Sequence, residues 1–226
     1  MYIAIDTSTD TASLALVKDG QMLAELTWRC GQDHTVHLLP NLEHLVNQAK
    51  FSLKSASGII VAIGPGSYNG LRVGLSTAKG LAFSLGIPIV GISTLEVEAY
   101  QHSETGLPVC PIFNAGRGEI AAATYQKSDG VWSQLAPEQI TTLEALCAQI
   151  NTKTVFCGQL TPALVSQLQE KLKQNAVIIS SVSSWRRASF LAELGLKRFQ
   201  TGDYDNPVTL QPLYLRGPAI TQAKHR

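Results

Sequence analysis

The pattern of hydrophobic positions near the start of the chain predicts three short strands joined by turns. We expect the strands at Tyr2–Asp6, Ala12–Val17 and Met22–Trp28, with a glycine-containing turn, Lys18-Asp19-Gly20-Gln21, between the second and the third. Consecutive strands joined by such short turns pair antiparallel. The chain is therefore expected to begin with an antiparallel layer.

A helix with one apolar and one polar face follows. Hydrophobic residues recur at helical spacing between Thr35 and Lys50, which predicts an amphipathic helix. The apolar face consists of Leu38, Leu42, Leu45 and Ala49, beside Leu39 and Val46. The second face is polar but largely uncharged and consists of His37, Asn41, His44 and Gln48. This polar face has no place in a core, so we interpret it as a solvated or interface surface.

The segment from Ile59 to Gly80 joins a buried strand to a long helix through a glycine loop. Ile59–Ile63 is an unbroken apolar run, which is typical of a strand covered on both faces in a parallel or mixed sheet. Ser67 is suited to cap the helix that follows. Glycine permits close backbone approaches that a side chain would block. The glycines of the loop are Gly64, Gly66 and Gly70.

The helix after this loop presents two different stripes. Its core face consists of Leu71, Leu75, Ala78, Ala82 and Leu85. A second stripe of very small side chains consists of Gly70, Gly74 and Ala78. Glycine within a helix costs about 1 kcal/mol against alanine, which points to close packing by a neighbouring element or another subunit. We therefore expect a Gly74→Leu variant to break dimers while the monomer stays folded.

The remaining pattern predicts a second α/β unit. Ile87–Ile92 is predicted as a strand, followed by a helix from Ser93 to about His102. Gly106-Leu107-Pro108 marks a break, and we divide the chain into domains 1–103 and 104–226, the last residues packing back on the first domain. Further strands are expected at 109–114, 119–125 and 154–157, and helices at 141–150, 162–173 and 185–194. The tail 206–226 is rich in proline breaks.

Composition excludes several classes of protein. The 226 residues include 18 Lys plus Arg against 17 Asp plus Glu, so the chain shows no charge footprint for nucleic acid. It has no apolar run of about 20 residues and no signal-like start, and we expect a cytoplasmic protein without membrane contact. The four scattered cysteines indicate buried thiols and neither a disulfide framework nor a thiolate metal site.

Two segments carry candidate chemistry. Asp6-Thr7-Ser8-Thr9 follows the first strand and is suited either to a phosphate or metal-bound water, or to a turn that satisfies its own backbone. The glycine loop is suited to a phosphate cradle, a close packing site or an ordinary strand-to-helix turn, and close packing is favoured. We therefore hold six residues as a possible nucleotide or junction site: Asp6, Ser8, Gly64, Gly66, Ser67 and Arg72.

Other polar motifs indicate no catalysis. For His34, His37 and His44 a solvated or interface stripe is favoured over a zinc site, and no metal is assigned. The run from Asn114 to Glu119 is a hairpin turn that either places Arg117 and Glu119 at a cleft between the domains or simply exposes its charges, and the exposed hairpin is favoured. No Ser-His-Asp or Cys-His spacing supports a nucleophile, and no catalytic residue is predicted.

Taken together, several segments resemble the bacterial TsaB (YeaZ) family. They are Ile3–Thr9, the HTVHLLP run from His34 to Pro40, the glycine loop and helix from Gly64 to Ala82, Gly86–Leu95 and Pro212–Arg216. The resemblance is strong over residues 1 to about 100 and looser beyond. It implies the actin-like ATPase fold (ASKHA, RNase H-like), with two related α/β domains that each contain a mixed sheet.

The resemblance also implies a function. TsaB-like chains take part in the threonylcarbamoyl modification of the adenosine beside the anticodon, in tRNAs that read ANN codons. Their partners are a catalytic paralogue, TsaD, and an ATPase, TsaE. They dimerise, with TsaD or as homodimers, through the helix after HTVHLLP and the helix after the glycine loop. The family thus places an interface at His37, Asn41, His44, Gly70, Gly74 and Ala78, and leaves tRNA contact to the complex.

Departures from the fold's nucleotide-binding members weaken a catalytic reading. Those members have glycine where Ser8 stands here, and Gly158 alone lies in the region of their adenosine motif. TsaB-like chains typically read Asp-Ala-Arg where this chain reads Asn114-Ala115-Gly116. We therefore predict a non-catalytic accessory subunit, with ATP or ADP conceivable only at a subunit junction. The alternatives are a self-sufficient ATPase or small-molecule kinase, and a protease or chaperone-like factor acting on the paralogue.

Overall fold

A computed structural model describes residues 1–179 and 185–216, which form two five-stranded mixed sheets. The first sheet contains β1 (Tyr2–Asp6), β2 (Thr11–Lys18), β3 (Gln21–Arg29), β4 (Gly58–Gly64) and β5 (Ile89–Ser93). Its order is β3-β2-β1-β4-β5, with β1, β2 and β3 antiparallel and β4 and β5 parallel to β1. The predicted antiparallel start and buried strand are confirmed.

The second sheet has the same strand order as the first. It contains β6 (Val109–Gly116), β7 (Glu119–Ser128), β8 (Val131–Thr141), β9 (Thr154–Gly158) and β10 (Ala176–Ile178). The order β8-β7-β6-β9-β10 and the antiparallel and parallel pairings match those of the first sheet position by position. This correspondence confirms the expected pair of related α/β units.

Six α-helices pack on the two sheets in the described residues. They are α1 (His34–Gln48), α2 (Tyr68–Leu85), α3 (Thr94–Tyr100), α4 (Leu143–Gln149), α5 (Pro162–Leu172) and α6 (Ala188–Gln200). The apolar faces of α1 and α2 share one core with the first sheet, and α6 covers the opposite face of that sheet. Ser67 and Ser93 cap α2 and α3 through their side chains, as the sequence predicts.

Strand β8 is the main element that the sequence pattern does not show. All eleven of its residues are exposed or half-buried, so it has no buried face to produce an alternating hydrophobic pattern. It also extends to Thr141, so the predicted helix 141–150 begins later, at Leu143. The late helix likewise runs over 188–200 instead of 185–194.

More of the tail than expected packs on the first sheet. Helix α6 lies on that sheet, and the segment after it continues across β4 and β5. The carboxylate of Asp205 accepts the Gly91 amide at 2.7 Å, and the Leu213 amide donates to the Ile63 carbonyl at 2.7 Å. The division into 1–103 and 104–226 remains a proposal, and residues 217–226 of the tail lie outside the described residues.

Among the residues that the structure describes, no helix has both the length and the apolar character that crossing a membrane requires.

Candidate functional site

The turn after β1 satisfies its own polar groups. Asp6 is almost fully buried, with 1% of its surface exposed. Its Oδ1 accepts hydrogen bonds from the Ser8 amide at 2.9 Å and from the Ser8 hydroxyl at 2.6 Å. A short acidic side chain that bonds the amide two residues on is a common way to build a turn. Of the two alternatives for this segment, the structure shows the self-satisfied turn.

Arg186 closes the remaining side of this turn with a buried ion-pair cluster. Its Nε lies 2.6 Å from Asp6 Oδ2, and its Nη1 lies 3.2 Å from Glu98 Oε2. Its Nη2 donates to the Ser8 hydroxyl at 2.7 Å. The guanidinium is 7% exposed, so three elements distant in sequence meet around one cation that is shielded from water.

Two carboxylates share this single guanidinium unequally. Burial alone would raise the pKa of Asp6, but the ion pair and hydrogen bond with Arg186 outweigh it and lower that pKa. For Glu98, burial is the dominant effect and raises the pKa, because its contact with Arg186 is longer. Asp6 is thus the carboxylate that the cation holds ionised.

The actin-like fold implies a magnesium nucleotide near the first turn, and the residues present do not fit one. The Asp6 carboxylate that would hold the ion's water shell already has both oxygens engaged, by Ser8 and by Arg186. A magnesium ion would therefore have to displace a buried arginine from a 2.6 Å ion pair. We derive no step through a nucleotide at this position.

The glycine loop packs directly on the same turn. The Ser67 amide donates to the Ser8 carbonyl at 2.7 Å, which takes up a donor that an anion would need. A Cβ on Gly66 would lie closer than 3.0 Å to the Ser8 carbonyl oxygen, and one on Gly70 equally close to that of Thr7. Both glycines are therefore explained by close packing, which is the favoured interpretation, and no phosphate cradle is needed to account for them.

The small stripe of α2 faces the chain's own interior, which corrects the interface prediction for Gly70, Gly74 and Ala78. All three residues are buried within the single chain, with Ala78 at 0% exposure. A Cβ on Gly74 would lie closer than 3.0 Å to the hydroxyl of Thr7. For the same reason, we now expect Gly74→Leu to disturb the monomer itself, because the new side chain would enter the core.

Gly64 and Gly158 also have structural roles. Gly64 ends β4 with φ +113°, and a Cβ there would lie 3.0 Å from the Leu213 carbonyl oxygen. Gly158 ends β9 with φ +93°, and its Cβ would overlap the Ile112 carbonyl oxygen. These positions demand glycine because of backbone conformation and contact, without reference to adenosine.

A cleft of about 610 Å³ lies between the two sheets, beside the turn and the glycine loop. Asn114 and Gln159 line its second-sheet side, and Tyr214 and Arg216 of the tail line its mouth. Arg216 pairs with Glu119, so the hairpin that contains Glu119 does reach the region between the two sheets. Asp10 also lines the cleft, and its carboxylate lies 3.4 Å from Arg29 Nη2.

Arg72 lies near the cleft but is engaged by aromatic side chains. Its guanidinium stacks over the Tyr68 ring at 3.9 Å, and its Nε lies 3.4 Å from the Tyr214 hydroxyl. This cation–π arrangement is exposed on the surface of α2. Arg72 therefore belongs to the outer face of the helix, away from the buried Asp6.

The outer faces of α1 and α2 form an exposed surface with apolar residues. His37 and His44 are exposed and Asn41 is half-buried, which fits a solvated or interface stripe. Three apolar side chains of these two helices are strongly exposed: Val36 at 63%, Leu39 at 54% and Phe83 at 83%. We call the surface formed by these six residues the helix surface. A shallow groove lined by Leu39, Arg72, Val73 and Ser76 runs between the two helices beside it.

His34 does not belong to this surface. It is 2% exposed, and its Nε2 lies 2.6 Å from the carbonyl oxygen of Thr9, so this nitrogen carries the proton and donates. The ring also abuts Gly70. His34 thus fixes the start of α1 to the β1–β2 turn, which separates it in role from the exposed His37.

Sequence reasoning missed Arg186 and Glu98. Arg186 lies 180 residues from Asp6, and the sequence placed it in the predicted helix 185–194, whereas the structure has it just before α6, so nothing local indicates its partner. Glu98 offers a faint signal, because it stands among apolar neighbours on a short helix that is buried on nearly all sides. A buried carboxylate needs a partner, but sequence alone does not say which.

The comparisons with known proteins agree with this architecture. The family described as TsaD, tRNA N6-adenosine threonylcarbamoyltransferase, matches residues 29–224. A relative, the tRNA threonylcarbamoyladenosine biosynthesis protein TsaB of Bacillus subtilis, is 33% identical over 217 residues, which cover 95% of this chain and 93% of the relative.

Solved structures support the fold. The structure described as YeaZ from Pseudomonas aeruginosa matches with a TM-score of 0.82 at 23% identity, covering 95% of this chain and 99% of the other. A ROK hexokinase from Thermus thermophilus matches with a TM-score of 0.52 at 9% identity, over 87% and 99% of the two chains, which places the chain in the actin-like ATPase fold. Because the family match spans most of the chain and the Bacillus subtilis relative is similar over nearly its whole length, this chain belongs to the TsaB (YeaZ) family.

Proposed function

We propose that this chain is a non-catalytic accessory subunit in the synthesis of tRNA threonylcarbamoyladenosine, acting by binding and activating a TsaD-type catalytic paralogue. The family assignment supports the process, since the Bacillus subtilis relative is named for it. The observation that carries the accessory role is the Arg186 cluster. It places a buried cation on the carboxylate that a nucleotide-processing member of this fold would need free.

The helix surface supports partner binding. Isolated exposed apolar residues are normal, but Val36 and Leu39 on α1 and Phe83 on α2 are all strongly exposed, and the two helices are adjacent. None of the six residues of the helix surface is an aspartate, glutamate, lysine or arginine. Depletion of such charged residues at the centre is typical of protein interfaces. We therefore keep His37, Asn41 and His44 as interface residues and replace the buried glycine stripe by these three apolar side chains.

The function is tested by reconstitution. The chain is mixed with a TsaD-type subunit, the adenylate-forming enzyme, a TsaE-type ATPase and tRNA, and threonylcarbamoylation is followed with and without the chain. We expect modification to require the chain, while the chain alone hydrolyses no ATP. Modification that proceeds equally well without it, together with ATP turnover by the chain alone, would favour the self-sufficient ATPase or kinase.

Leu39→Asp is expected to disrupt the complex without unfolding the chain. A charge placed at the centre of an apolar contact costs at least about 2 kcal/mol, or about 30-fold in Kd, when the residue is a hot spot. The matched control is Val131→Asp, since Val131 is 65% exposed and lies on β8 of the second sheet. Affinity for the TsaD-type subunit is measured by calorimetry, and equal affinities for the two variants would place the interface elsewhere.

The remaining partner assignments follow from the same surface. We propose that the free chain forms a homodimer through the helix surface, so that the TsaD-type subunit competes with a second copy. TsaE and tRNA would then join the assembled complex, consistent with a net charge of +1 on this chain. Any ATP or ADP would lodge at a subunit junction and not at Asp6. Sedimentation of Leu39→Asp tests the homodimer directly, because this variant should be monomeric.

The protease alternative has little support in the described residues. Cys157, His102 and a carboxylate of Glu98 lie close together, but the thiol of Cys157 is fully buried and no substrate reaches it. Incubation with a catalytically inactive TsaD-type subunit should leave that partner uncleaved.

A further inference from the structure

A group of metal-ligating side chains lies behind the Arg186 cluster, where α3 meets the second sheet. One carboxylate oxygen of Glu98, one ring nitrogen of His102 and the Sγ of Cys157 all lie within 4.8 Å of one another. Glu98 lies on α3, His102 lies in the turn that follows α3, and Cys157 lies on β9. Within the described chain, this is the one group of at least three such side chains with this spacing.

The polar atoms of this group are not fully used by the protein. Glu98 is 1% exposed, yet its Oε1 has no hydrogen-bond partner among the described residues, and the buried Nε2 of His102 has none either. The thiol of Cys157 makes only a long contact of 3.8 Å with the Glu98 carbonyl oxygen. Buried polar atoms without partners are uncommon and costly, and an unfilled ligand site is one explanation for them.

We propose that Glu98, His102 and Cys157 bind a zinc ion that joins α3 to β9. One sulfur, one nitrogen and one oxygen ligand suit Zn²⁺, which takes tetrahedral coordination and accepts all three donor types. The fourth position would be filled by water. The ligand atoms of a tetrahedral zinc site lie closer together than the 4.8 Å within which these three atoms lie. Zinc binding would therefore draw the three side chains towards one another.

The charges of the cluster favour a divalent cation at this position. Arg186 is paired with Asp6 at 2.6 Å, so its positive charge is already balanced. Zinc binding would release to solvent any proton carried by the Glu98 carboxyl and the Cys157 thiol, and these two ligands would then carry one negative charge each. The two charges balance the two positive charges of the ion, so the buried cluster is neutral as a whole.

Arg186 would act as an outer partner of this site. Its Nη1 holds Glu98 Oε2 at 3.2 Å, so the second carboxylate oxygen remains for the metal. Its own charge is balanced by Asp6 at 2.6 Å, which limits its repulsion of the ion. Hydrogen bonds of this kind orient metal-binding carboxylates in characterised sites. His102 is half-exposed, so the site lies one side chain below the surface.

Metal binding by the full-length chain tests this proposal. After chelator treatment, the protein is titrated with Zn²⁺ against a competing chelator, and Co²⁺ is used as a spectroscopic probe of thiolate ligation. We expect one ion per chain and a cobalt–thiolate charge-transfer band. With free Zn²⁺ about 100-fold above Kd, the Tm should rise by about 5–10 °C.

Two variants identify the ligands. Cys157→Ser should abolish the charge-transfer band. His102→Gln changes a half-exposed position and should leave the core intact. It should weaken zinc binding by more than the roughly 10–100-fold that the loss of an outer partner costs. The control is Cys110→Ser, since Cys110 is equally buried on the adjacent strand β6 but lies outside the group. Absence of zinc binding in the unaltered chain, or equal affinity in His102→Gln, would overturn the proposal.

Discussion

Replacing Arg186 with leucine is expected to destabilise the chain by about 3–5 kcal/mol, which is the usual cost of removing one partner from a buried ion pair. The substitution leaves Asp6 and Glu98 buried without their shared cation. It also leaves the Ser8 hydroxyl without one of its partners. The free energy of unfolding is measured by urea denaturation near neutral pH.

The neighbouring arginine provides the control. Arg187 pairs with Glu25, but its side chain is 56% exposed, so Arg187→Leu should cost no more than about 1 kcal/mol. Both variants replace arginine with leucine, at adjacent positions. The difference between their losses of stability therefore measures the effect of burying the ion pair. If the two losses of stability are equal, the Arg186 cluster does not hold the turn.

The pH dependence separates electrostatics from packing in the Arg186 variant. In the unaltered chain the pKa of Asp6 is lowered from its ordinary value of 3.8, so the stability it contributes is present above that pH and is lost as the pH falls through the folded-state pKa. In Arg186→Leu, burial without the cation should raise this pKa, and stability should fall as the pH rises. The difference in the free energy of unfolding between the unaltered chain and Arg186→Leu should therefore become smaller as the pH falls towards 3.8. A gap that does not change with pH would indicate lost packing alone.

Local patterns were sufficient for most of the first sheet and its helices. The apolar run of β4, the cap Ser67 and the amphipathic α1 all rest on interactions between residues close in sequence. Strand β8 was missed because its stability comes from pairing with β7 and not from its own hydrophobic pattern. Short-range periodicity thus predicts elements whose buried face is continuous, and it fails where pairing alone defines a strand.

The candidate site divides in the same way. Asp6 and Ser8 were identifiable because the turn is a local structure. Arg186 was not, since it reaches them from 180 residues away. The glycine stripe of α2 showed that something packs closely, but small side chains do not reveal whether the close neighbour is the same chain or another. Only the position of Thr7 beside Gly70 and Gly74 resolves that question.

Gly70→Ala and Gly80→Ala should change the stability of α2 in opposite directions. A Cβ on Gly70 would lie closer than 3.0 Å to the backbone carbonyl oxygen of Thr7, which has little freedom to move, so we expect a loss of about 1–3 kcal/mol. Gly80 is exposed with nothing within 4 Å of the added atom, and alanine there should stabilise the helix by about 0.5–1 kcal/mol.

The same pair of variants distinguishes packing within the chain from packing between subunits. Unfolding is measured at two protein concentrations, because the stability of a dimer depends on concentration and that of a monomer does not. If Gly70 packs on Thr7, the loss in Gly70→Ala is the same at both concentrations. A loss of stability that appears only at the concentration where the chain is dimeric would indicate that Gly70 lies at the interface. If Gly70→Ala is instead as stable as Gly80→Ala, the glycine loop does not pack closely against the β1–β2 turn.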